Sequence, residues 1–319
     1  MTDLSSLNVA GIPTLGAGGG LPTTPGKYIF VDYGAGSDGN TGETMKEPVK
    51  TIAQAYSMAR TNKDDTLVLI GNSTHTITSM IDGSKNRVHL VGLDCTNRLY
   101  GQNAKISMGV TTAATDVFGF KDTGVRTSFA NIKFMSSNTK TEHVATFGGG
   151  GEYTKFTNCE FYASGKQASD THAEFVHNID SPQFSNCTFG SLATAVTGNK
   201  IRPAMLLTKG TVAAGAVARD TYMHNCRFWK LAGGTATAMI KGASNDVERD
   251  FELHDCQFVA APLGSTPAVA IDSGTQARGY IRLTGDTAAT NCTKIATDIG
   301  VFNVTPARAA TATIGIQAT

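Results

Sequence analysis

The chain has 319 residues, of which 40% are hydrophobic and 17% charged, and it contains 35 glycines. Its 27 Lys and Arg nearly balance its 26 Asp and Glu, leaving a formal net charge of +1. No strong field would therefore attract nucleic acid or an anionic membrane, and we predict neither as a partner. The abundance of Gly, Thr, Ser and Asn is typical of many turns and strands, so an all-β fold is favoured.

The sequence also bears on cellular location. Apolar runs such as Thr66–Ile70 are far shorter than the roughly 20 residues that a membrane helix needs. Residues Met1–Ser6 lack the basic and apolar regions of a secretory signal. We expect a protein that is made and folds in a cytoplasm, with its six cysteines mostly reduced and buried.

Residues 1–26 are rich in Gly, Pro and Thr, most densely in Gly16–Gly26. This composition has too few large apolar side chains to fold alone. We expect an extended N-terminal arm that is held by another protein of an assembly.

The next segment predicts a strand and a helix. Tyr28–Asp32 is an apolar strand, followed by a long Gly- and Asp-rich turn. In Thr51–Ala59, Ile52, Ala55, Tyr56 and Ala59 have the spacing of an amphipathic helix, which we place near residues 51–60.

Buried strands are predicted after the helix, at Thr66–Ile70 and Val88–Leu93. Between the helix and the first of these strands lies the pair Asp64–Asp65. We interpret this pair as a solvated turn.

From about residue 100, a four-residue phrase of Asn or Asp, Cys, any residue and Phe recurs. Its key positions are Asn158, Cys159 and Phe161; Asn186, Cys187 and Phe189; Asn225, Cys226 and Phe228; and Asp255, Cys256 and Phe258. Degenerate copies begin at Asn131 and Asn291. The spacing between copies varies while the phrase does not, which indicates a solenoid with stacked strands and loops of variable length.

The phrase has a simple physical interpretation. Cys and Phe lie two positions apart and so face the same side of a strand, which we predict to be the interior. The preceding Asn or Asp tolerates the left-handed backbone of a sharp turn. Stacked copies would form an Asn ladder along the solenoid.

The opening strand Ile29–Asp32, the turn Gly36–Gly42, Pro48 and the helix from Thr51 resemble the start of the pectin-lyase-like family. The recurring phrase resembles the rung repeats of this family, and together the matches cover about residues 28–295. The resemblance implies a right-handed parallel β-helix with an N-terminal capping helix over residues 27–295. Residues 296–319 are predicted as an Ala/Thr-rich cap or assembly segment.

Lyases of this family bind calcium through clustered carboxylates and use an Arg or Lys as base, while its hydrolases use two or three neighbouring carboxylates. Neither pattern stands out in the rungs. The best candidates are His172, Glu174 and Asp180, and strand alternation would put the first two on one face. We favour a solvent-facing strand and loop for this segment, and we predict no catalytic residue and no cofactor.

Three other features have a structural interpretation. His224 and His254 each lie two residues before a phrase cysteine, but Cys and His should point apart, so we predict no metal site. The charged run Asn245–Asp250 indicates an exposed loop or an intersubunit contact. The glycines of Gly148–Gly151 lack the Lys-Ser/Thr of a phosphate loop, so we predict an external turn.

The family includes polysaccharide lyases, glycoside hydrolases, phage tailspikes and non-catalytic virion proteins, so the resemblance leaves function open. We favour a homotrimeric phage virion protein, assembled in the host cytoplasm, that decorates the capsid or forms a tail-associated spike. Its N-terminal arm would bind the major capsid protein or another virion protein. The alternatives are a tailspike enzyme that cleaves a glycan and an adhesin that binds a host surface glycan.

Overall fold

The computed structural model describes residues 8–9, 12–13, 26–71, 73–93, 104–109, 118–136, 144–163, 173–191, 202–208, 212, 216–232, 238–243, 245–262, 269–274, 278–292 and 301–303. Apart from one short antiparallel pair near the N-terminus, these residues form parallel strands and one helix, which confirms the predicted right-handed parallel β-helix. Among them, no helix is long and apolar enough to cross a membrane.

The elements are, in chain order, β1 (Asn8–Val9), β2 (Ile12–Pro13), β3 (Tyr28–Val31), α1 (Ile52–Met58), β4 (Asp65–Leu69), β5 (Thr74–Ile77), β6 (Ile81–Gly83), β7 (Val88–Gly92), β8 (Lys105–Met108), β9 (Phe118–Asp122), β10 (Ser128–Ala130), β11 (Lys133–Ser136), β12 (Ala145–Gly149), β13 (Lys155–Thr157), β14 (Glu160–Ala163), β15 (Ala173–His177), β16 (Gln183–Ser185), β17 (Thr188–Ser191), β18 (Met205–Leu207), β19 (Ala218–His224), β20 (Arg227–Ala232), β21 (Ala238–Lys241), β22 (Val247–His254), β23 (Gln257–Pro262), β24 (Val269–Asp272), β25 (Gly279–Thr284), β26 (Ala288–Thr290) and β27 (Val301–Asn303).

Three parallel sheets run the length of the rod. Sheet I has ten strands in the order β27-β25-β22-β19-β16-β13-β10-β7-β4-β3. Sheet II has eight strands, β26-β23-β20-β17-β14-β11-β8-β5, and sheet III has seven, β24-β21-β18-β15-β12-β9-β6. The chain passes from sheet III to sheet I to sheet II in each rung, so every strand pairs with the equivalent strands of neighbouring rungs.

Columns of stacked phenylalanines fill the middle of the rod, one from each sheet. The columns contain Phe120, Phe147 and Phe175 in sheet III; Phe129, Phe156 and Phe184 in sheet I; and Phe134, Phe161, Phe189, Phe228 and Phe258 in sheet II. Successive ring centroids within a column are 4.7–5.4 Å apart. This spacing is close to the separation of hydrogen-bonded strands, so one side chain per rung forms a continuous core.

The recurring phrase forms the corner between sheets I and II. Its Asn and Asp residues, and those of the degenerate copies, have φ between 50° and 59°. The Asn158 amide donates to Asn131 Oδ1 over 3.1 Å, and the Asn225 amide donates to Asn186 Oδ1 over 2.7 Å. The phrase cysteines Cys159, Cys187, Cys226 and Cys256 are fully buried and free. Burial raises the pKa of the Cys159 and Cys226 thiols, so these groups serve as small apolar side chains.

A second left-handed corner, between sheets III and I, carries no common residue type. Positive φ values occur at Arg126, Tyr153, Ser181, Asp220 and Arg249. The residues before the first four of these form a ladder of parallel bridges from Val125 to Arg219. The geometry of the rung therefore imposes this turn. The free-energy cost of a positive φ at each non-glycine residue is offset by the stability of the strands on either side.

Helix α1 caps the first rungs. Thr51 Oγ1 accepts a hydrogen bond from the backbone N–H of Gln54, which is typical of an N-cap. Ile52, Ala55 and Tyr56 are buried. At the other end, the Lys85 ammonium donates to the carbonyls of three residues of the last turn, Tyr56, Ser57 and Ala59.

The Asp64–Asp65 pair is not a solvated turn, so that prediction is wrong. Asp65 is 0% exposed and begins β4, where it accepts hydrogen bonds from the Arg60 guanidinium and from the backbone N–H of Lys27. Burial by itself raises the pKa of Asp65, but these bonds outweigh burial and lower it to about 2. Asp64 forms an ion pair with Arg87. The ion pair of Asp64 with Arg87 was missed because it joins residues 23 positions apart.

The predicted external turn at Gly148–Gly151 is also wrong, since Gly148 and Gly149 lie in the buried strand β12. A Cβ on Gly148 would lie 2.8 Å from the Phe118 ring, and one on Gly149 would lie 2.4 Å from Ile179 Cδ1. Glycine is therefore required by close packing on both sides of the strand.

Little of the predicted terminal segments falls within the described residues. In the arm, only the antiparallel pair of β1 and β2 is described. In residues 296–319, only β27 is described, and it pairs in parallel with β25 in sheet I. The predicted roles of both segments in assembly remain predictions.

Candidate functional site

The candidate residues Glu174 and Asp180 do not form one site. Glu174 lies in β15, which is buried along its whole length, and is itself 6% exposed. Asp180 lies at the next corner and its side chain is 25% exposed. His172, the third candidate, lies outside the described residues. The interpretation of this segment as a solvent-facing strand is therefore wrong for Ala173–His177.

Glu174 lies in a strand of sheet III that contributes two residues to a second buried cluster. An apolar cluster separate from the main core lies on this sheet and contains Phe118, Ala145, Ala173, Val176, Leu206 and Val212. Glu174 Oε1 forms an ion pair of 2.8 Å with Arg202 Nη2, and the Arg202 side chain is only 2% exposed. The positive charge of Arg202 and the negative charge of Glu174 compensate each other in a site with almost no solvent contact.

Lys230 of β20 adds a second cation near the Glu174–Arg202 pair. It is 5% exposed. Burial, followed by the positive charge of Arg202, lowers the pKa of Lys230 to about 7, while Glu174 acts in the opposite direction. A lowered lysine pKa is a property of some catalytic bases, but here a substrate would first need a path to a buried group.

Asp180 belongs to a network of arginines and carboxylates at the corner that leads into sheet I. Arg219 Nη1 lies 2.7 Å from Asp180 Oδ2, and Arg249 Nη2 lies 3.3 Å from Asp180 Oδ1. Arg219 also pairs with Glu248, and Arg249 pairs with Asp220. Asp180 is thus held between two guanidinium groups by charge-assisted contacts.

The network continues onto the outer face of sheet I, which we define by the outward residues of β19, β22 and β25: Tyr222, His224, Asp250, Glu252, His254, Tyr280, Arg282 and Thr284. Arg282 Nη2 lies 2.6 Å from Asp250 Oδ2 and 2.8 Å from Glu252 Oε2. Tyr222 and Tyr280 are 40% and 42% exposed. The face therefore presents aromatic rings between neutralised ion pairs.

Two histidines and a carboxylate meet where this face joins the corner to sheet II. The rings of His224 and His254 are stacked, with centroids 5.4 Å apart. Asp255 Oδ2 lies 3.7 Å from His224 Nε2 and 3.3 Å from His254 Nε2. The phrase cysteines point into the core, as expected, and therefore do not meet the histidines. The third potential metal ligand is instead the Asp255 carboxylate. Among the described residues, these three side chains could hold a metal ion.

A cavity of about 250 Å³ lies between α1 and the first strands of sheets II and III. Tyr33, Tyr56, His75 and Asp82 contribute to its wall. His75 is 1% exposed, and its Nε2 contacts the carbonyl of Ile70 at 2.9 Å. Burial lowers the pKa of His75, so the neutral imidazole suits a structural contact with the backbone.

Sequence reasoning missed most of the charged partners. The ion pair of Arg202 with Glu174 and that of Arg219 with Asp180 join residues 28 and 39 positions apart. No local pattern connects such residues. The exposed loop predicted for Asn245–Asp250 is wrong for Val247–Asp250, which begin strand β22, and the alternative of an intersubunit contact remains a prediction. The stacking of His224 on His254 was predictable from the register of the phrase.

No protein-family model matches the sequence, and no curated protein does. Among solved structures, the chain is similar to the pectin methylesterase from Aspergillus niger, with 13% identity, coverage of 88% of this chain and 87% of that chain, and a TM-score of 0.53. Pectate lyase Pel9A has 11% identity, coverage of 89% and 82%, and a TM-score of 0.47. A Geobacillus virus E2 protein, ORF18, has 13% identity, coverage of 75% and 57%, and a TM-score of 0.29.

These likenesses concern the fold. The chain has the pectin-lyase-like parallel β-helix fold, as its sequence predicts. At 13% identity, the similarity to the methylesterase does not transfer an activity. The TM-scores of the lyase and the viral protein are too low to support any argument.

Proposed function

We propose that this protein is a non-catalytic structural component of a phage particle, a rod that assembles as a homotrimer on the capsid or tail. The observation that supports the proposal is that both described candidate carboxylates are already engaged by arginine. Glu174 is buried against Arg202, and Asp180 is held by Arg219 and Arg249. General acid–base catalysis needs a carboxyl group within reach of a substrate proton, and these groups are instead structural.

The outer face of sheet I supports the assembly part of the proposal. Exposed tyrosines and arginines are enriched in protein interfaces, and Tyr222, Tyr280 and Arg282 lie together on this face. A cyclic trimer would bring one such face of each subunit against its neighbour and would close the assembly. The N-terminal arm would then attach the trimer to a capsid or tail protein, with assembly in the host cytoplasm.

The catalytic alternative is tested with the purified full chain and a panel of acidic and neutral polysaccharides. We expect no new reducing ends, no unsaturated products and no released methanol. Release of any of these, abolished by Glu174→Gln or Asp180→Asn in folded protein, would contradict the proposal and favour a glycan-active enzyme. Asp286→Asn, which changes an exposed carboxylate, is the matched control.

Binding without cleavage on the same panel would favour the adhesin, because Tyr222 and Tyr280 could then be sugar-stacking rings. The virion role is tested by labelling native particles of the source phage with an antibody to this chain. Label on the capsid or tail is the expected result. Particles that lack the chain would contradict the proposal.

A further inference from the structure

We infer that His224, His254 and Asp255 form a binding site for a divalent transition-metal ion of the zinc class. The three residues come from two neighbouring rungs, since His224 of β19 pairs with His254 of β22 and Asp255 follows His254 directly. Their ligand atoms lie within 4.8 Å of one another. The inference does not depend on the proposed virion role, because metal binding is measured on the purified chain itself.

The distances suit a small metal ion. With metal–ligand bonds of about 2.0–2.1 Å, tetrahedral coordination places ligand atoms roughly 3.3 Å apart. Asp255 Oδ2 lies 3.3 Å from His254 Nε2 and 3.7 Å from His224 Nε2. Small side-chain rotations would bring both ring nitrogens and the carboxylate oxygen to one centre.

Hydrogen bonding fixes the tautomer of His254. Thr284 Oγ1 lies 2.7 Å from Glu252 Oε1, and this carboxylate is ion-paired with Arg282. The hydroxyl therefore donates its only proton to Glu252 and must accept from His254 Nδ1, which lies 2.9 Å away. A neutral His254 then carries its lone pair on Nε2.

That lone pair faces a second acceptor. His254 Nε2 and Asp255 Oδ2 are both electron-pair donors in this arrangement, so both can bind a metal ion placed between them. One metal ion satisfies both nitrogens and the carboxylate at once. A histidine that donates its other N–H to a fixed partner is the usual arrangement around bound zinc.

The Asp255 carboxylate is built into position. Asp255 has φ 53°, and its Oδ1 accepts a hydrogen bond of 2.7 Å from the backbone N–H of Asp286. A Cβ on Gly285 would lie only 2.1 Å from Asp255 Oδ1, so glycine at this position leaves space for the carboxylate. Oδ1 is thus hydrogen-bonded to the backbone, and Oδ2 faces the two histidines.

A second His–Asp contact in the rod, between His89 and Asp64, has a nearby arginine that the contact at Asp255 lacks. His89 Nε2 lies 3.4 Å from Asp64 Oδ1, but Asp64 also has an ion pair with Arg87 that supplies the compensating positive charge. Among the described residues, Asp255 has no ion pair with Lys or Arg. The phrase also changes from Asn to Asp in the second of the two copies that a histidine directly precedes.

Imidazole and carboxylate ligands favour Zn²⁺ and its neighbours Co²⁺ and Ni²⁺ over Ca²⁺ or Mg²⁺. The side chains of the three residues are 43%, 35% and 40% exposed. A water molecule or a group from another molecule could therefore complete the coordination.

The test uses full-length protein freed of metal with a chelator. Titration calorimetry with Zn²⁺ should show about one ion bound per chain, and Co²⁺ should give the intense visible absorption of a four-coordinate site. Asp255→Asn should abolish both signals without unfolding the chain, since asparagine occupies the same left-handed position in other copies of the phrase. Zn²⁺ should also raise the thermal midpoint of the wild type and not that of Asp255→Asn.

Variants of the surrounding residues sharpen the test. Thr284→Val should weaken Zn²⁺ binding by about 10–100-fold through loss of the histidine partner, and Thr284→Ser should restore it. His89→Ala is the matched control and should leave the stoichiometry unchanged. No binding by the wild type, or equal binding by the wild type, Asp255→Asn and His254→Ala, would overturn the inference.

Discussion

The interior of the rod and the outer face of sheet I belong to the same rungs but differ in how their residues repeat along the rod. Inside, Phe134, Phe161, Phe189, Phe228 and Phe258 repeat one residue type along sheet II with an almost constant spacing. Outside, the stacked positions Tyr222, Glu252 and Arg282 are three different residues. The repeated interior specifies the fold, and the varied exterior is where a specific function must be sought.

The interior and the outer face also differ in which partners bind their polar and charged groups. Interior polar groups such as Asp122 and His177 are fixed by hydroxyl partners within the rungs, with Thr127 bonding to the first and Thr221 to the second. Exterior carboxylates are instead neutralised by arginines from neighbouring rungs, as at Asp180 and Arg219. Asp255 departs from both patterns because its neighbours are histidines, and this departure is what marks it as a candidate ligand.

The largest expected effect comes from breaking an interior column. Phe161 is 0% exposed and stacks between Phe134 and Phe189. Phe161→Ala should lower the free energy of unfolding by about 3–5 kcal/mol, because it removes buried contacts and leaves a cavity. Tyr153→Ala, at a residue that is 55% exposed and lies outside the outer face of sheet I, should cost well below 1 kcal/mol in the same urea titration. Equal costs would show that the stacked column does not dominate stability.

A smaller, pH-dependent effect is expected from Asp122, which is 1% exposed. Burial raises its pKa to about 7, although Thr127, Thr154 and the Gly124 amide donate to it. Between about pH 4 and pH 7 the folded state therefore binds more protons than the unfolded state, and the contribution of Asp122 to stability falls as pH rises. Asp122→Asn should remove this dependence and be more stable than the wild type at about pH 8 by roughly 2–4 kcal/mol.

The measurement is the difference in unfolding free energy between the wild type and Asp122→Asn across that pH range. Taking the difference removes the opposite contribution of His177, whose pKa burial lowers to about 3. Asparagine fits because the threonine hydroxyls can accept a hydrogen bond as well as donate one. Glu152→Gln, at an exposed position, controls for loss of a carboxylate. A difference that does not change with pH would contradict the account of Asp122.

The sequence was sufficient to predict the fold because the same side chain recurs at the same place in successive rungs. Asn158, Cys159 and Phe161 carry the turn, the small buried group and the core ring within four residues. The corner at Arg126, Tyr153, Ser181 and Asp220 could not be predicted, because its left-handed backbone is imposed by the strands and leaves no common residue type. Chain order likewise does not predict that Glu174 forms a buried ion pair with Arg202.

The candidate site was predictable only in part. The phrase placed His224 and His254 in register, but their meeting with Asp255 depends on a side-chain direction set by the left-handed turn and by Gly285. Asp180 was singled out as a catalytic candidate, and its two arginine partners could not be predicted because they come from the next two strands of sheet I.

The proposed assembly is tested most directly by sedimentation equilibrium of the full-length chain. A homotrimer through the outer face of sheet I predicts three times the chain mass of 33.4 kDa. Replacing both Tyr222 and Tyr280 with Ala should dissociate it, whereas Tyr153→Ala, at a residue 55% exposed on the corner before this face, should not. A wild-type chain that stays monomeric at all concentrations, or a trimer that is unaffected by the double replacement, would contradict the account.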